Sequence, residues 1–421
     1  MRRTQTLARH SISCDMNGRI VRKPRLMCHV PTAALVAALC IALPAPGHAA
    51  GFPACVDGLK RAAGKAGIRQ SVVRKALDIA EPDARVLRLS KVQPESRIAI
   101  WDYLAFVVDD QRVREGKAAM RRHSAALRRA GKRYGVSRHV IAAIWGVETD
   151  YGKTAGRNFL PHALATLTCR GGRRAKFWRR ELLAALRIVN AGDLPLGKLY
   201  GSWAGAFGQT QFMPSTYRRL AVDFDGDGRK DLVSSVPDAL GSAANYLRRA
   251  GWRAGQPRIL EVRVPNGYRG PEGRKRKAAL NTWSARGLKR ADRRRLKGKL
   301  RAGLLRPAGA DGPAFLTFRN FDALYAYNHA ESYALAVAHL ADRLAGRGRF
   351  RAKWPTDDPG LSRRERKWLQ ELLIVEGYDP GAPDGKIGPK SRAAIREAER
   401  NLGLPVTGRA ARRIYRALGG K

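Results

Sequence analysis

The chain has 421 residues, and its 81 Lys and Arg against 35 Asp and Glu give a formal charge of +46. So large an excess calls for an acidic partner, and the length is too great for one small core, so a large domain with an accessory one is expected. Nucleic acid would meet the charge, but nothing reads as a helix-turn-helix with base-reading side chains, a zinc finger or an aromatic RNA-binding sheet, which leaves peptides with free carboxylates and phosphate-bearing lipids or polymers.

The first residues carry Arg2, Arg3, Arg9, Arg19, Arg22, Lys23 and Arg25, then an apolar run over 31–44 and Gly47-His48-Ala49-Ala50. This is the pattern of a cleavable secretory signal over 1–49, too short to span a membrane, with Met16 and Met27 as alternative starts. Leu39 before Cys40 fits a lipobox poorly, so a lipid anchor is not expected and the exported chain is placed in the periplasm. Removing 1–49 takes away those seven basic residues and Asp15, leaving a formal charge of +40. Cys14, Cys28 and Cys40 go with the signal; Cys55 and Cys169 remain. An even pair in an exported chain predicts a disulfide, worth about 4–5 kcal/mol on the chain-entropy model, with two separately buried thiols as the alternative.

From 53 to about 150 the pattern is helical: 72–79, 96–108, 112–134, and a central helix after Gly135-Val136-Ser137 with Ser137 as N-cap. On that helix Val140, Ile144, Val147 and Tyr151 form one stripe, with Ile141, Trp145 and Glu148 beside it. Glu148 therefore stands at the edge of a buried face, where desolvation favours the protonated form of a carboxyl group and suits it to general-acid work. Asp150 lies about 200° round the helix from Glu148 and cannot pair with it, so any chemistry here runs on one carboxyl group. Taken alone, Glu148 could equally be an ordinary helix residue with a polar partner.

The segment 158–161 breaks the pattern, and 173–190 is a further amphipathic helix. The small residues of 201–217 cannot build a core and let backbone approach a ligand, with Ser202 and Gln211 offering hydrogen bonds and Trp203 and Phe212 offering faces for sugar rings. No Gly-Lys-Ser/Thr follows, which excludes a phosphate-cradling loop. Asp223, Asp225 and Asp227, then Gly228 and the carbonyl of Arg229, open like an EF-hand calcium loop. Ser234 stands where the closing Glu belongs, so a longer loop closed by Asp238 is expected; a solvated turn without metal is the alternative.

A helix over 236–250 carries Tyr246, and 258–264 alternates like a strand. The Arg-, Lys- and Gly-rich stretch 269–311 reads as a peripheral excursion. Phe315 to Phe321 leads to Tyr325-Ala326-Tyr327-Asn328-His329 and a last helix over 332–344, which Tyr327 and Asn328 are expected to open. Gly346 to Pro359 reads as a linker. The tail from Leu361 reads as three short helices, separated from the rest by Pro355 and Pro359 and so expected to act as a targeting module apart from the active site.

Four ordered motifs, Gly146-Val147-Glu148-Thr149, 201–217, 223–231 and Tyr327-Asn328-His329, resemble the membrane-bound lytic transglycosylase B family of peptidoglycan-cleaving enzymes. The tail, through Leu369-Gln370, Asp384-Gly385-Lys386-Ile387-Gly388 and Leu404-Pro405-Val406-Thr407-Gly408, resembles the type 1 peptidoglycan-binding domain. The resemblance implies a mainly α (α+β) protein with a lysozyme-like catalytic domain and an EF-hand-like loop over 50–346, a linker over 347–360 and a small three-helix domain over 361–421. It implies Glu148 as acid and then base, with Tyr103, Ser202, Gln211, Tyr246, Tyr327 and Asn328 in the cleft. Structural calcium would be held by Asp223, Asp225, Asp227 and Arg229, with Asp238 added from the loop itself.

The reaction it implies is cleavage of the MurNAc–GlcNAc bond with formation of 1,6-anhydro-MurNAc, the substrate acetamido group replacing a second carboxylate. A lysozyme-like hydrolase and a catalytically inactive wall-binding protein are the rival readings. The expected partners are peptidoglycan strands and a peripheral membrane or anionic surface, not nucleic acid, with the chain acting as a monomer.

Overall fold

The computed structural model describes residues 51–90 and 98–421. The expected signal segment and the Ser96 start of the expected 96–108 helix lie outside the described residues. Among those residues, no helix is long and apolar enough to cross a membrane.

Two helical layers meet at the middle of the chain. In the first, α1 (Gly51–Lys65), α2 (Gln70–Leu77) and α3 (Ala84–Ser90) turn Val56, Leu59, Val73, Leu77 and Val86 toward α8 (Leu160–Cys169), α9 (Ala175–Asn190) and α10 (Pro214–Leu220). Cys55 and Cys169 are disulfide-bonded and fasten α1 to the end of α8. Pro161 opens α8 where a break was expected, because a first-turn proline loses no helical hydrogen bond.

The second layer joins α4 (Ile100–Val107), α5 (Asp110–Arg122), α6 (Ser124–Tyr134), α7 (Arg138–Thr149), α11 (Val236–Arg249), α13 (Arg319–Asn328) and α14 (Glu331–Leu344). On α7, every residue from Val140 to Trp145 is 2% exposed or less. A helix apolar on all sides has to be surrounded, and α7 lies at the centre of this layer. The expected single helix over 112–134 is two, broken at His123 (φ −108°, ψ 28°), whose ring packs edge-on against Trp145. Ser137 stands at the N-cap position of α7 without capping it; its hydroxyl lies 3.4 Å from Nδ1 of His139. Tyr327 and Asn328 close α13 instead of opening α14, with His329 left-handed between the two helices.

The stretch 269–311, expected as a peripheral excursion, carries regular structure. With its neighbours it builds an antiparallel sheet in the order β4 (Lys277–Ala279), β6 (Arg301–Leu305), β7 (Ala314–Thr317), β3 (Ile259–Arg263), β5 (Lys289–Arg290), closed over Trp283 of α12 (Leu280–Ala285), Leu304, Leu316 and Phe318. A smaller pair, β1 (Asn158–Phe159) with β2 (Tyr200–Gly201), ties the start of α8 to the glycine-rich segment.

In the tail, α15 (Arg363–Val375), α16 (Pro389–Asn401) and α17 (Arg412–Ala417) enclose their own core of Leu369, Leu373, Ile395 and Ile414, and α15 starts with a capping box between Ser362 and Glu365. The expected linker is packed down: Phe350 stacks on His339 at 3.9 Å and meets Phe315 at 4.6 Å, and the amides of Arg351 and Ala352 donate to Glu261.

Candidate active site

Glu148 occupies the last turn of α7, half-buried, and two segments fix that turn. The indole nitrogen of Trp145 donates to Oε1 of Gln209 at 3.0 Å, and the Thr149 hydroxyl donates to the Gln209 carbonyl at 2.6 Å. The glycine-rich segment is thus bonded to the residue next to Glu148. Gly208 beside Gln209 has φ +75°, and a Cβ there would lie 2.8 Å from the Leu232 carbonyl oxygen, so only glycine lets the loop pass this close. From the other side, the Tyr333 hydroxyl of α14 donates to Oε1 of Glu148 at 2.5 Å.

Aromatic rings continue the wall. Tyr327 stacks on Tyr333 (6.1 Å, 13°) and lies 4.6 Å from Tyr246, with Phe212 within 6.0 Å of both Tyr246 and Tyr327. The Tyr327 hydroxyl donates to the Thr210 carbonyl (2.8 Å) and that of Tyr246 to the Ala326 carbonyl (2.6 Å), which fixes both rings. Burial, and then the Glu148 charge, push the hydroxyls of Tyr327 and Tyr333 up well above 10, so both stay protonated donors. Tyr103 on α4 is near enough to Tyr333 to add to that rise.

Of the other expected cleft residues, Ser202 and Gln211 bond to backbone and Asn328 ends a helix. Ser202 closes a turn, its hydroxyl accepting from the Ala206 amide and its own amide donating to the Ala206 carbonyl. Gln211, with φ +48°, donates from Nε2 to the carbonyls of Ala155 and Gly208 and ties the glycine-rich segment to the segment after α7. Asn328 is exposed at the end of α13. Tyr333 escaped the sequence reading, although a hydroxyl inside the apolar helix Tyr333-Ala334-Leu335-Ala336-Val337 needs a buried partner and was a usable signal.

Asp150 is the C-cap of α7, left-handed at φ 50°, ψ 47°. Its Oδ1 accepts from Nε and Nη2 of Arg112 (2.9 and 2.6 Å) and from Nη1 of Arg363 (2.6 Å), so this carboxylate is already committed to two arginines.

In the acidic loop, Asp223, Asp225, Asp227 and Asp238 each bring an oxygen within 4.8 Å of the others. Asp223 accepts from the amides of Gly226 and Gly228, and Asp227 from that of Arg229. Asp238, fully buried in the first turn of α11, accepts from the amides of Phe224, Asp225 and Asp231, while burial pushes its carboxyl up from the ordinary value. A tight set of four hard carboxylates fits a calcium ion. Ser234, at the position of the missing Glu, accepts from Lys198 instead, and Asp231 accepts from the amides of Val233 and Ser234. The same loop reaches the active site, because the Gln209 amide donates to the Leu232 carbonyl (2.8 Å) and its side chain to that of Val233 (3.2 Å).

The sequence model described as Transglycosylase SLT domain matches residues 51–342, and that of a peptidoglycan binding domain matches 362–418. The membrane-bound lytic murein transglycosylase B of Escherichia coli strain K12 is 37% identical over 243 residues, 57% of this chain and 65% of that protein, so the match spans just under two thirds of that relative. The crystal structure of SltB3 from Pseudomonas aeruginosa in complex with NAG-anhNAM-pentapeptide is 40% identical, with a TM-score of 0.71 over 87% of this chain and 99% of that one. The Escherichia coli lytic transglycosylase SLT35 in complex with calcium is 32% identical, with a TM-score of 0.61 over 70% of this chain and 92% of that one. The mainly helical, lysozyme-like architecture and the family match over more than half its length agree: this chain belongs to the lytic transglycosylases built on the SLT domain, with a peptidoglycan-binding domain following it.

Proposed function

We infer that this chain cleaves the MurNAc–GlcNAc bond of peptidoglycan without consuming water, with Glu148 as its acid and base. The observation that carries the reading is a half-buried carboxylate held by Tyr333 in an aromatic cleft, while the next carboxylate along, Asp150, is taken up by Arg112 and Arg363. Glu148 donates its proton to the bridging oxygen as the C1–O bond breaks, and the muramic acetamido carbonyl stabilises the positive charge at C1. The ionised Glu148 then takes the proton of the C6 hydroxyl, whose oxygen closes on C1. The products are a free GlcNAc hydroxyl and a 1,6-anhydro ring, and Glu148 is again protonated. The tyrosine and Phe212 faces suit the apolar faces of amino sugars.

Residues 50–346 are read as the catalytic domain and 361–421 as the wall-binding domain, joined by 347–360. A calcium ion in the Asp223–Asp238 loop, with the Arg229 carbonyl as a further ligand, would supply charge compensation there and no step of the reaction. Export to the periplasm agrees with this substrate and with a disulfide. An anionic surface as a further partner is supported by one cross-strand row: Arg263 opposes Lys289, and Lys289 opposes Arg295, all exposed. Like charges directly opposite one another on one sheet face repel, and an anionic surface relieves that repulsion.

The test is a digest of sacculi analysed by mass spectrometry in heavy-oxygen water. Muropeptides ending in 1,6-anhydro-MurNAc, lighter by one water than a hydrolase product and free of the label, are expected. Glu148→Gln keeps the shape but carries no proton either way, and should cut the rate by about 10²–10⁴-fold with sacculus binding retained. Labelled reducing ends would make the chain a hydrolase and require a second carboxylate.

A further inference from the structure

The tail meets the catalytic layer at four carboxylates, and two of them, Asp102 and Asp150, stand close in sequence to Tyr103 and Glu148. Arg409 forks onto Asp102 (2.9 and 3.0 Å), the neighbour of Tyr103, and Gly360 runs so close to α4 that a Cβ would lie 2.6 Å from an Asp102 oxygen. Arg363, the first residue of α15, reaches further. Its Nε lies 3.1 Å from Oδ2 of Asp109, its Nη1 2.6 Å from Oδ1 of Asp150 and its Nη2 3.6 Å from Oε2 of Glu115. Arg112, 4% exposed, completes the cluster through Asp150 and the Val107 carbonyl. One guanidinium from the tail therefore joins the N-cap of α5 to the C-cap of α7, two residues beyond Glu148.

We propose that Arg363 is a positioning residue for Glu148, acting through Asp150, so that the docked wall-binding domain raises the rate of glycan cleavage itself besides holding the enzyme to the wall. The proposal rests on the assignment of Glu148 as acid and base. Its physical basis is the backbone after α7. Asp150 (φ 50°) and Tyr151 (φ 61°) are consecutive non-glycine residues in the left-handed region, which persists only where the surroundings over-determine it. The surroundings here are the two arginines on Asp150 and the Tyr151 hydroxyl, which donates to the Arg112 carbonyl at 2.9 Å. Without Arg363, the carboxylates of Asp109, Asp150 and Glu115 lose the cation they share, and Asp150 keeps only Arg112. The end of α7 is then free to adopt other backbone states, and a small misplacement of a reacting group is costly to rate.

The experiment uses the full chain and a soluble, peptide-free glycan oligosaccharide, which needs no targeting. Arg363→Met keeps an unbranched apolar stem and removes the charge and fork. It should lower kcat about tenfold, leave KM and sacculus binding within about twofold, and have almost no further effect on kcat in an Asp150→Asn background. Arg363→Lys should recover part of the loss, and it carries the test alone if Arg363→Met melts below the assay temperature. A wild-type kcat in the variant, or effects of Arg363→Met and Asp150→Asn on kcat that simply multiply, overturns the proposal. Glu148→Gln separates the two readings: if it stays active, the assignment of Glu148 has failed; if it is inactive while Arg363→Met turns over at the wild-type rate, only the positioning role has.

Discussion

The Tyr333 hydroxyl and Oε1 of Glu148 are 2.5 Å apart, a bond that crosses from α14 to α7 and spans 185 residues of sequence. It anchors Oε1 of the carboxyl group from the α14 side. Tyr333→Phe keeps the ring and its stacking on Tyr327 but removes the donor. A hydrogen bond to a charged group is worth about 1.5–3 kcal/mol, so kcat on soluble glycan should fall about 10- to 100-fold with little change in binding to sacculi. An unchanged kcat would show that Glu148 is held by other contacts.

Glu148 stood out in the sequence as the one carboxylate at the edge of an apolar helical run, whereas Tyr246 and Tyr327 came to the cleft through the family resemblance. The apolar run Val140–Trp145 likewise announces a central helix. What escaped depends on partners far along the chain: Tyr333 acquires meaning only opposite Glu148, and Arg363 only opposite Asp150, 213 residues away. The break at His123 carries no Gly or Pro to mark it. Of the sheet between 259 and 317 only the 258–264 strand showed in the sequence, because β6 and β7 are buried on both faces and so carry no polar–apolar alternation. The stretch before the tail read as a linker from its Gly, Arg, Pro and Asp, yet Phe350, Arg351 and Ala352 are all engaged.

His339 gives the fold a pH dependence. It is 7% exposed on α14 under the Phe350 ring, and burial, then Arg343 and Arg349, hold its pKa down to about 3 from an ordinary 6.5. The native state keeps it neutral, whereas the unfolded chain takes up a proton below about 6.5. Its contribution is therefore present above that pH and is lost as pH falls toward 3, with a limiting slope of about 1.4 kcal/mol per pH unit. Urea unfolding at pH 7, 5.5 and 4.5 should show this loss, and His339→Leu should flatten the dependence over the same window. Parallel curves for the two proteins would place the acid sensitivity elsewhere.

The acidic loop should respond to calcium. Without a cation, the carboxylates of Asp223, Asp225, Asp227 and Asp238 repel one another across less than 4.8 Å, and only backbone amides and the Ser235 hydroxyl donate against that repulsion. An ion that binds only the folded state at 100 times its Kd adds about 2.7 kcal/mol, so a chelator should lower Tm by several degrees and excess calcium should restore it. Asp238 is a poor probe because its oxygens also hold the amides of Phe224, Asp225 and Asp231. Asp227→Asn, at an exposed position, should keep the fold while shrinking the difference between melts with and without chelator. The loss should also reach the active site, because the segment leaving the loop holds Gln209, and Gln209 holds Trp145 and Thr149 on either side of Glu148. Cleavage of soluble glycan at a temperature well below the melt should therefore slow on chelation and recover with calcium; a rate and a Tm that both ignore the chelator would leave the loop a turn without metal.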